Sequence, residues 1–222
     1  MRVLVAGAGR LGVQVAQVLA GARNTVVLVD ADEERIAGLE GSLPARLVLG
    51  DACDPAVLEG AGALTADLAV AATGADEDNL VVCLLAKRRF AVPRVVARVN
   101  DGENTWLFDH RWGVDVAVPA ATPLVSLIEE AAGAADTVAL LRLSRAGVSV
   151  IETTLSAQSR AAGRTVGDVA LPGGTVVAAV VREGRPTVPG PDFRLRPGDE
   201  LLVVSQSATD QEVHACFHGP PL

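Results

Sequence analysis

Glycines at positions 7, 9 and 12 are spaced to hold a phosphate without help from a cationic side chain. In Gly7-Ala8-Gly9-Arg10-Leu11-Gly12 the first glycine permits a tight turn and the second lets a phosphate approach the backbone. The third lets a helix pack closely on a strand. Amides at the start of that helix carry about half a positive charge, which stabilises an anion. Asp30 follows 18 residues after Gly12, close to the spacing of a ribose-binding acid. A carboxylate there accepts from both ribose hydroxyls and repels a 2′-phosphate. The expected ligand is therefore an adenine nucleotide, NAD(H) or ATP/ADP, and not NADP. The plainer account of Asp30 is a helix cap.

Two more loops are expected at the same crevice, because ligands of open parallel sheets lie beyond the carboxyl ends of the strands. Gly50-Asp51-Ala52 closes the third predicted strand and Thr73-Gly74-Ala75 the fourth. Asp51 and Ala52 are candidates for the adenine side, and Thr73 and Gly74 for amides to phosphate. Each could equally serve only to turn the chain. Arg10 and Arg98 are the candidate cations, since guanidinium offers phosphate a planar fork of donors.

Chemistry on a bound nicotinamide needs a proton donor or acceptor near the reacting carbon. The sequence has no tyrosine and one lysine, Lys87, so a Tyr-Lys pair is excluded. The rival reading, an NAD-dependent oxidoreductase, would have to use Cys53 or Asp51. His214 and His218 are four apart on a predicted helix, a weak metal pattern without a second cluster. They are expected instead to complement the dipole at the end of that helix, before Gly219-Pro220-Pro221. Lys87-Arg88-Arg89 is expected to do the same on a solvated face, and Trp106, Phe108 and Trp112 to pack in a core. The chain is expected to be no enzyme and to hold no metal.

These residues need a frame. Short β-branched runs at Val3–Ala6, Thr25–Val29, Arg46–Leu49, Leu68–Ala72, Arg94–Val99 and Asp115–Val118 alternate with helical stretches, which predicts a doubly wound parallel α/β sheet. Helices are expected to start at the caps Asp54-Pro55, Asp76 and Thr122-Pro123. The helix over 122–133 carries Leu124, Leu127, Ile128 and Ala131 as an apolar stripe that must be covered, which makes dimerisation plausible. From Thr137 the pattern turns to β hairpins, at Val138–Leu143, Val148–Thr154, Thr175–Arg182, Arg185–Val188 and Glu200–Val204. Two short helices near Val166–Val169 and Asp210–Phe217 complete a smaller α+β domain. The expected division is 1–118, 119–136 and 137–222.

Half the residues are hydrophobic and 21% are charged, which suits a globular chain and not a disordered one. The net charge of −8 is concentrated in the first lobe, with 11 basic against 18 acidic residues up to position 135. Nucleic acid is therefore an improbable partner. The uncharged stretches are too short to span a bilayer, and the first residues read as a strand and not a signal peptide. Three scattered cysteines fit a reducing cytoplasm, with Cys83 expected in a core.

Nearly the whole chain resembles the RCK regulators of potassium channels and transporters, of the TrkA or KtrA type. The likeness is carried by Gly7–Gly12 with Arg10, Val29-Asp30, Gly50-Asp51-Ala52 with Asp54-Pro55, Ala71–Asn79 and Ala86–Asn100. In the second lobe it is carried by Val188-Pro189-Gly190-Pro191-Asp192 and Leu195-Arg196-Pro197-Gly198-Asp199. Phe90–Arg98, Trp106-Leu107-Phe108 and Trp112–Val118 are similar to the second regulator of the actinobacterial two-gene Trk pair. The resemblance implies a Rossmann-like first lobe with Asp30 on ribose, and with Gly7, Gly9, Gly12 and Arg10 on phosphate. It also implies dimers joined through the helix after the sheet and assembled into a ring, with a second Trk regulator as a further partner. Such assemblies gate a membrane-embedded potassium transporter subunit from the inner face of the cell membrane. Some relatives carry a carboxylate after the proline of the sixth strand, where this chain has Ala120-Ala121. Others bind cyclic di-AMP in the second lobe, but no residue cluster assigns that here.

Overall fold

The structure, a computed structural model, describes residues 1–132, 135–143 and 147–219. Its contacts divide the chain into two compact units, Met1–Ala121 and Thr122–Leu222.

In the first unit, strands β1 (Arg2–Ala6), β2 (Thr25–Asp30), β3 (Arg46–Leu49), β4 (Leu68–Ala71), β5 (Arg94–Val99) and β6 (Val116–Pro119) form one sheet in the order β3-β2-β1-β4-β5-β6. Every pairing is parallel, as expected. The unbroken apolar runs are explained by burial on both faces. Val3 and Val5 join Ala16 and Leu28 in one core, while Leu4 and Ala6 join Leu58, Leu80, Cys83 and Ala97 in the other. Helix α1 (Arg10–Gly21) packs on β1 and β2, and α2 (Glu33–Leu39) on β2 and β3. The short α3 (Pro55–Gly60) contributes Leu58 to the opposite core, and α4 (Asp76–Leu84) packs on β4 and β5. The strand order reverses between β1 and β4, so their carboxyl ends flank the crevice where such sheets take ligands.

Local chemistry sets the helix starts. The Asp54 carboxylate accepts from the Ala56 amide at 2.8 Å and Pro55 occupies the first turn, while Asp32 caps α2 by accepting from the Arg35 amide at 3.0 Å. Asp76 departs from expectation. It lies inside α4, with Ala75 at the cap position, because its carboxylate is drawn to donors on a loop 24 residues ahead.

The second unit holds β7 (Thr137–Leu143), β8 (Val148–Thr154), β9 (Thr175–Arg182), β10 (Arg185–Thr187) and β11 (Glu200–Ser205), antiparallel in the order β10-β9-β11-β8-β7. Glu183 and Gly184 join β9 to β10 with φ of 53° and 73°, the pair of positive φ values that a two-residue hairpin turn demands. Helix α6 (Asp210–Phe217) opens with a reciprocal Thr209–Glu212 capping box and buries Val213 and Phe217 against Ile151, Leu201 and Val203. Helix α5 (Thr122–Ala131) packs on β7. Leu124, Leu127 and Ile128 stay exposed, Ile128 to 67%. Gly133, the expected end of this helix, lies outside the described residues.

Three further expectations change. Helix α4 widens into a π-helical turn at Leu85–Arg89. There the Lys87 ammonium is taken up by the Pro93 carbonyl at 2.9 Å and the Asp115 carboxylate at 2.8 Å, leaving only Arg88 and Arg89 solvated. His218 sits in a buried polar network, with Nε2 3.0 Å from the Thr153 hydroxyl and Nδ1 2.9 Å from that of Ser159. Burial, then the stacked His214, pushes its pKa below the ordinary value against the pull of Asp136. A neutral imidazole cannot complement the dipole by charge. Of the three aromatics expected in a core, only Phe108 is buried; Trp106 is 69% exposed and Trp112 also faces solvent.

Candidate nucleotide site

The glycine turn is built around two close approaches. Gly7 has φ of 103°, and a Cβ there would stand 2.9 Å from the Ala72 and Thr73 backbone. A Cβ on Gly12 would stand 1.8 Å from the Gly7 oxygen, so α1 can start against the turn only with glycine at that position. A Cβ on Gly9 meets nothing within 4 Å, which leaves its backbone open to a ligand. Among the described residues, the amides of Gly9, Arg10 and Leu11 find no acceptor within the unit.

Above this turn lies a cleft of about 720 Å³. Ten of the residues singled out from the sequence line it: Gly7, Ala8, Gly9, Arg10, Asp30, Asp51, Ala52, Thr73, Gly74 and Arg98. Leu11 and Gly12 lie outside the lining, and Gly12 acts through its contact with Gly7. Asp30 accepts from the Ala8 amide at 2.5 Å and from the Asp32 amide at 2.8 Å, one bond on each oxygen. Each oxygen keeps a lone pair for a further donor. Asp30 is thus tied into the glycine turn and is not the cap of α2. Asp51 folds back on the Cys53 amide at 2.8 Å, an Asx turn that holds its side chain at the rim.

The loop after β4 is occupied differently from the sequence expectation. The Thr73 amide and hydroxyl both donate to Oδ1 of the fully buried Asn79, each at 2.9 Å. Only Gly74 offers a backbone amide there that finds no acceptor among the described residues. Asn79 Nδ2 then donates to the Arg98 carbonyl at 3.0 Å, stitching β4 to β5. Nε of Arg98 is buried without an acceptor among the described residues, on a side chain that lines the cleft.

Asp76 anchors the same corner. Its oxygens take the Asn100 amide at 2.7 Å, the Asp101 amide at 3.0 Å and the Asn104 side chain at 2.9 Å, and Asn100 also reaches the Thr73 carbonyl at 3.3 Å. Burial pushes the Asp76 pKa up, but these donors outweigh it and hold it below the ordinary value. A depressed carboxylate contributes stability that is present above the unfolded value and lost as pH falls through the folded one. Asp76→Ala is expected to cost about 2–3 kcal/mol at neutral pH by orphaning those donors. It should also flatten the acid limb below about pH 4, as read by urea unfolding of both proteins at pH 7 and at low pH.

The sequence reading missed three side chains of the lining, Arg35, Cys53 and Asp78. Of these the sequence points only to Cys53, and only as the catalytic group of the oxidoreductase reading. Burial, then the charges of Asp51 and Asp78, pushes its thiol up to about 12, which disfavours the thiolate a nucleophile needs. Arg35 was legible in principle, since it stands one turn into the helix that Asp32 caps.

A six-stranded parallel sheet with a glycine turn at its switch point, followed by a smaller α+β unit, defines a Rossmann-like protein with an appended C-terminal domain. The TrkA-N domain family matches residues 3–120 and the TrkA-C domain family residues 150–214. The Trk system potassium uptake protein TrkA of Mycobacterium tuberculosis is 40% identical over 214 residues, 96% of each chain. This chain belongs to the TrkA family. Among solved structures, the GsuK channel bound to NAD superposes with a TM-score of 0.59 at 18% identity, covering 97% of this chain and 39% of its own length. The chain thus spans about two fifths of that channel. The Shewanella denitrificans Kef CTD in its AMP-bound form has a TM-score of 0.53 at 25% identity, covering 60% of this chain and 80% of that one.

Proposed function

We propose that this chain is a cytoplasmic regulatory subunit of a Trk-type potassium uptake system. It binds an adenine nucleotide without a 2′-phosphate, NAD(H) or ATP/ADP, and through that binding gates a membrane-embedded transporter subunit. The observation that carries the reading is the convergence of the open Gly9 and Arg10 amides, the two unfilled lone pairs of Asp30 and the Arg98 Nε, unpartnered among the described residues, on one cleft. Together they offer donors to phosphate and acceptors to ribose. The potassium uptake role of the Mycobacterium tuberculosis relative and the AMP of the Kef domain support the same reading. No helix among the described residues is long and apolar enough to cross a membrane.

The cleft argues for sensing and against catalysis. Lys87 is committed to Pro93 and Asp115, burial and neighbouring carboxylates push the Cys53 thiol toward its neutral form, Asp51 is folded back on the Cys53 amide, and among the described residues no histidine lines the cleft. In this reading residues 1–118 bind the nucleotide, 119–136 join two copies through the exposed Leu124, Leu127 and Ile128 stripe, 137–222 form the C-terminal domain, and the dimers assemble into a ring with a second Trk regulator as a further partner. Gating requires the ligand to favour one of two arrangements of the paired subunits.

Asp30→Ala removes the ribose acceptor, and the loss of two charge-assisted bonds is expected to weaken binding by about 100-fold. In cells deleted for their own regulator, the wild-type chain should restore rubidium uptake, while Asp30→Ala accumulates folded and fails to restore it. Equal uptake from the two would refute nucleotide control.

A further inference from the structure

The cleft contains one long side chain that the reading above leaves without a task. Arg35 projects from α2 into the lining, its side chain 56% exposed. Its Nε pairs with the Asp32 carboxylate at 3.1 Å and its NH1 stands 3.7 Å from Asp30 Oδ2. Two nitrogens of the guanidinium therefore stand within ion-pair distance of carboxylates, and the Asp32 side chain is itself fixed by capping α2. A planar cation paired through its nitrogens has its face left over.

We propose that Arg35 is the base platform of the cleft, stacking its guanidinium plane on the adenine ring. The inference rests on the adenine-nucleotide reading and deepens it. Phosphate at the glycine turn fixes the 5′ end of the ribose, and Asp30 fixes the 2′ and 3′ hydroxyls. The base, attached at C1′, must then leave the sugar on the side away from the turn, past Asp30. On that side the lining consists of Ala31, Arg35 and the Asp51-Ala52-Cys53 loop. The loop brings Ala52 and the Cys53 thiol to the same lining, and Arg35 offers it a planar guanidinium whose NH1 stands 3.7 Å from Asp30 Oδ2. A guanidinium face stacks on an aromatic ring by cation–π and dispersion attraction, which an ammonium does not reproduce in planar form.

Titration calorimetry of the full chain with AMP and with NADH, for wild type, Arg35→Ala and Arg35→Lys, tests this. The variants should melt with the wild type, since Arg35 is a solvent-facing side chain. Arg35→Ala is expected to weaken both ligands by the same factor, about three- to tenfold, because they share the adenylate half that carries the base. Arg35→Lys should stay as weak as Arg35→Ala. Unchanged AMP affinity in Arg35→Ala, or full recovery in Arg35→Lys, would overturn the platform while leaving the nucleotide reading intact. If NADPH, titrated alongside, binds the wild type and that binding is selectively lost in Arg35→Ala, the platform is overturned in favour of a 2′-phosphate reader. A wild-type chain that binds neither AMP nor NADH would remove the adenine reading itself.

Discussion

Gly12→Ala is expected to abolish nucleotide binding and to leave the first unit grossly destabilised, by about 4 kcal/mol or more. The new methyl would have to stand 1.8 Å from the Gly7 oxygen, about half the separation at which carbon atoms attract each other. Neither side can yield cheaply. The Gly7 carbonyl belongs to a turn whose own amide is bonded to Val29 at 2.8 Å, and whose Cα lies against the Ala72–Thr73 backbone. Helix α1 is held by Ala16, which has no exposed surface at all. Relief therefore requires the helix to lift from the sheet, which spoils the amide geometry that would meet a phosphate. Gly9→Ala is the control. Its Cβ has no neighbour within 4 Å, so that variant should fold normally and lose affinity alone. Thermal melting followed by calorimetry separates the two outcomes, and a Gly12→Ala protein with a wild-type melt would contradict the packing argument.

The second large effect falls in the other unit. Asp199, 1% exposed at the turn before β11, takes a two-pronged contact from Arg182, Nε at 2.6 Å and NH2 at 2.7 Å, and also the Arg196 amide at 2.8 Å. Arg182 extends to the Arg194 carbonyl at 3.0 Å and covers the Phe193 ring at 4.9 Å. One carboxylate thus locks the irregular 193–199 segment onto β9. Burial pushes the Asp199 pKa up, but Arg182, the Arg196 amide and the arginine charges outweigh that and hold it below the ordinary value. Asp199→Ala strips Arg182 of its carboxylate, leaving it only the Arg194 carbonyl, and orphans the Arg196 amide, for an expected loss of about 3 kcal/mol. Its sign with pH follows that of Asp76: the contribution is present above the ordinary carboxylate value and disappears as pH falls through the depressed one. Urea unfolding monitored by circular dichroism should show the loss, with nucleotide binding preserved in whatever fraction remains folded. A midpoint equal to the wild type would refute the lock.

The sheet was legible because burial on both faces leaves an unmistakable run of β-branched residues, as in β1 and β5. The glycine turn was legible because Gly7 and Gly12 each make a close approach that excludes a side chain, while Gly9 leaves its backbone open. What escaped the sequence is tertiary. Asp76 has the local signature of a cap, and nothing near it announces that its carboxylate serves Asn100 and Asn104. Thr73 read as a phosphate donor, but Asn79 had already taken its amide and hydroxyl. Lys87 and His218 looked like dipole partners, because the Asp115 carboxylate and the Thr153 and Ser159 hydroxyls that claim them are distant in the chain. Trp106 read as core on hydrophobicity alone, yet it projects from a 3₁₀ turn, Gly102–Leu107, with no buried residues. In each case a residue's local pattern was compatible with two fates, and a partner far along the chain decided between them.

The central claim is that the cleft of the first unit is a receptor for an adenosine carrying a free 2′-hydroxyl. Calorimetric titration of the full-length wild-type chain with NADH, ATP, ADP and NADPH tests it most directly. The account predicts one saturable site per chain for at least one of the first three, no binding of NADPH, and loss of the heat in Asp30→Ala. Silence from all four nucleotides, or NADPH binding as tightly as NADH, would contradict it.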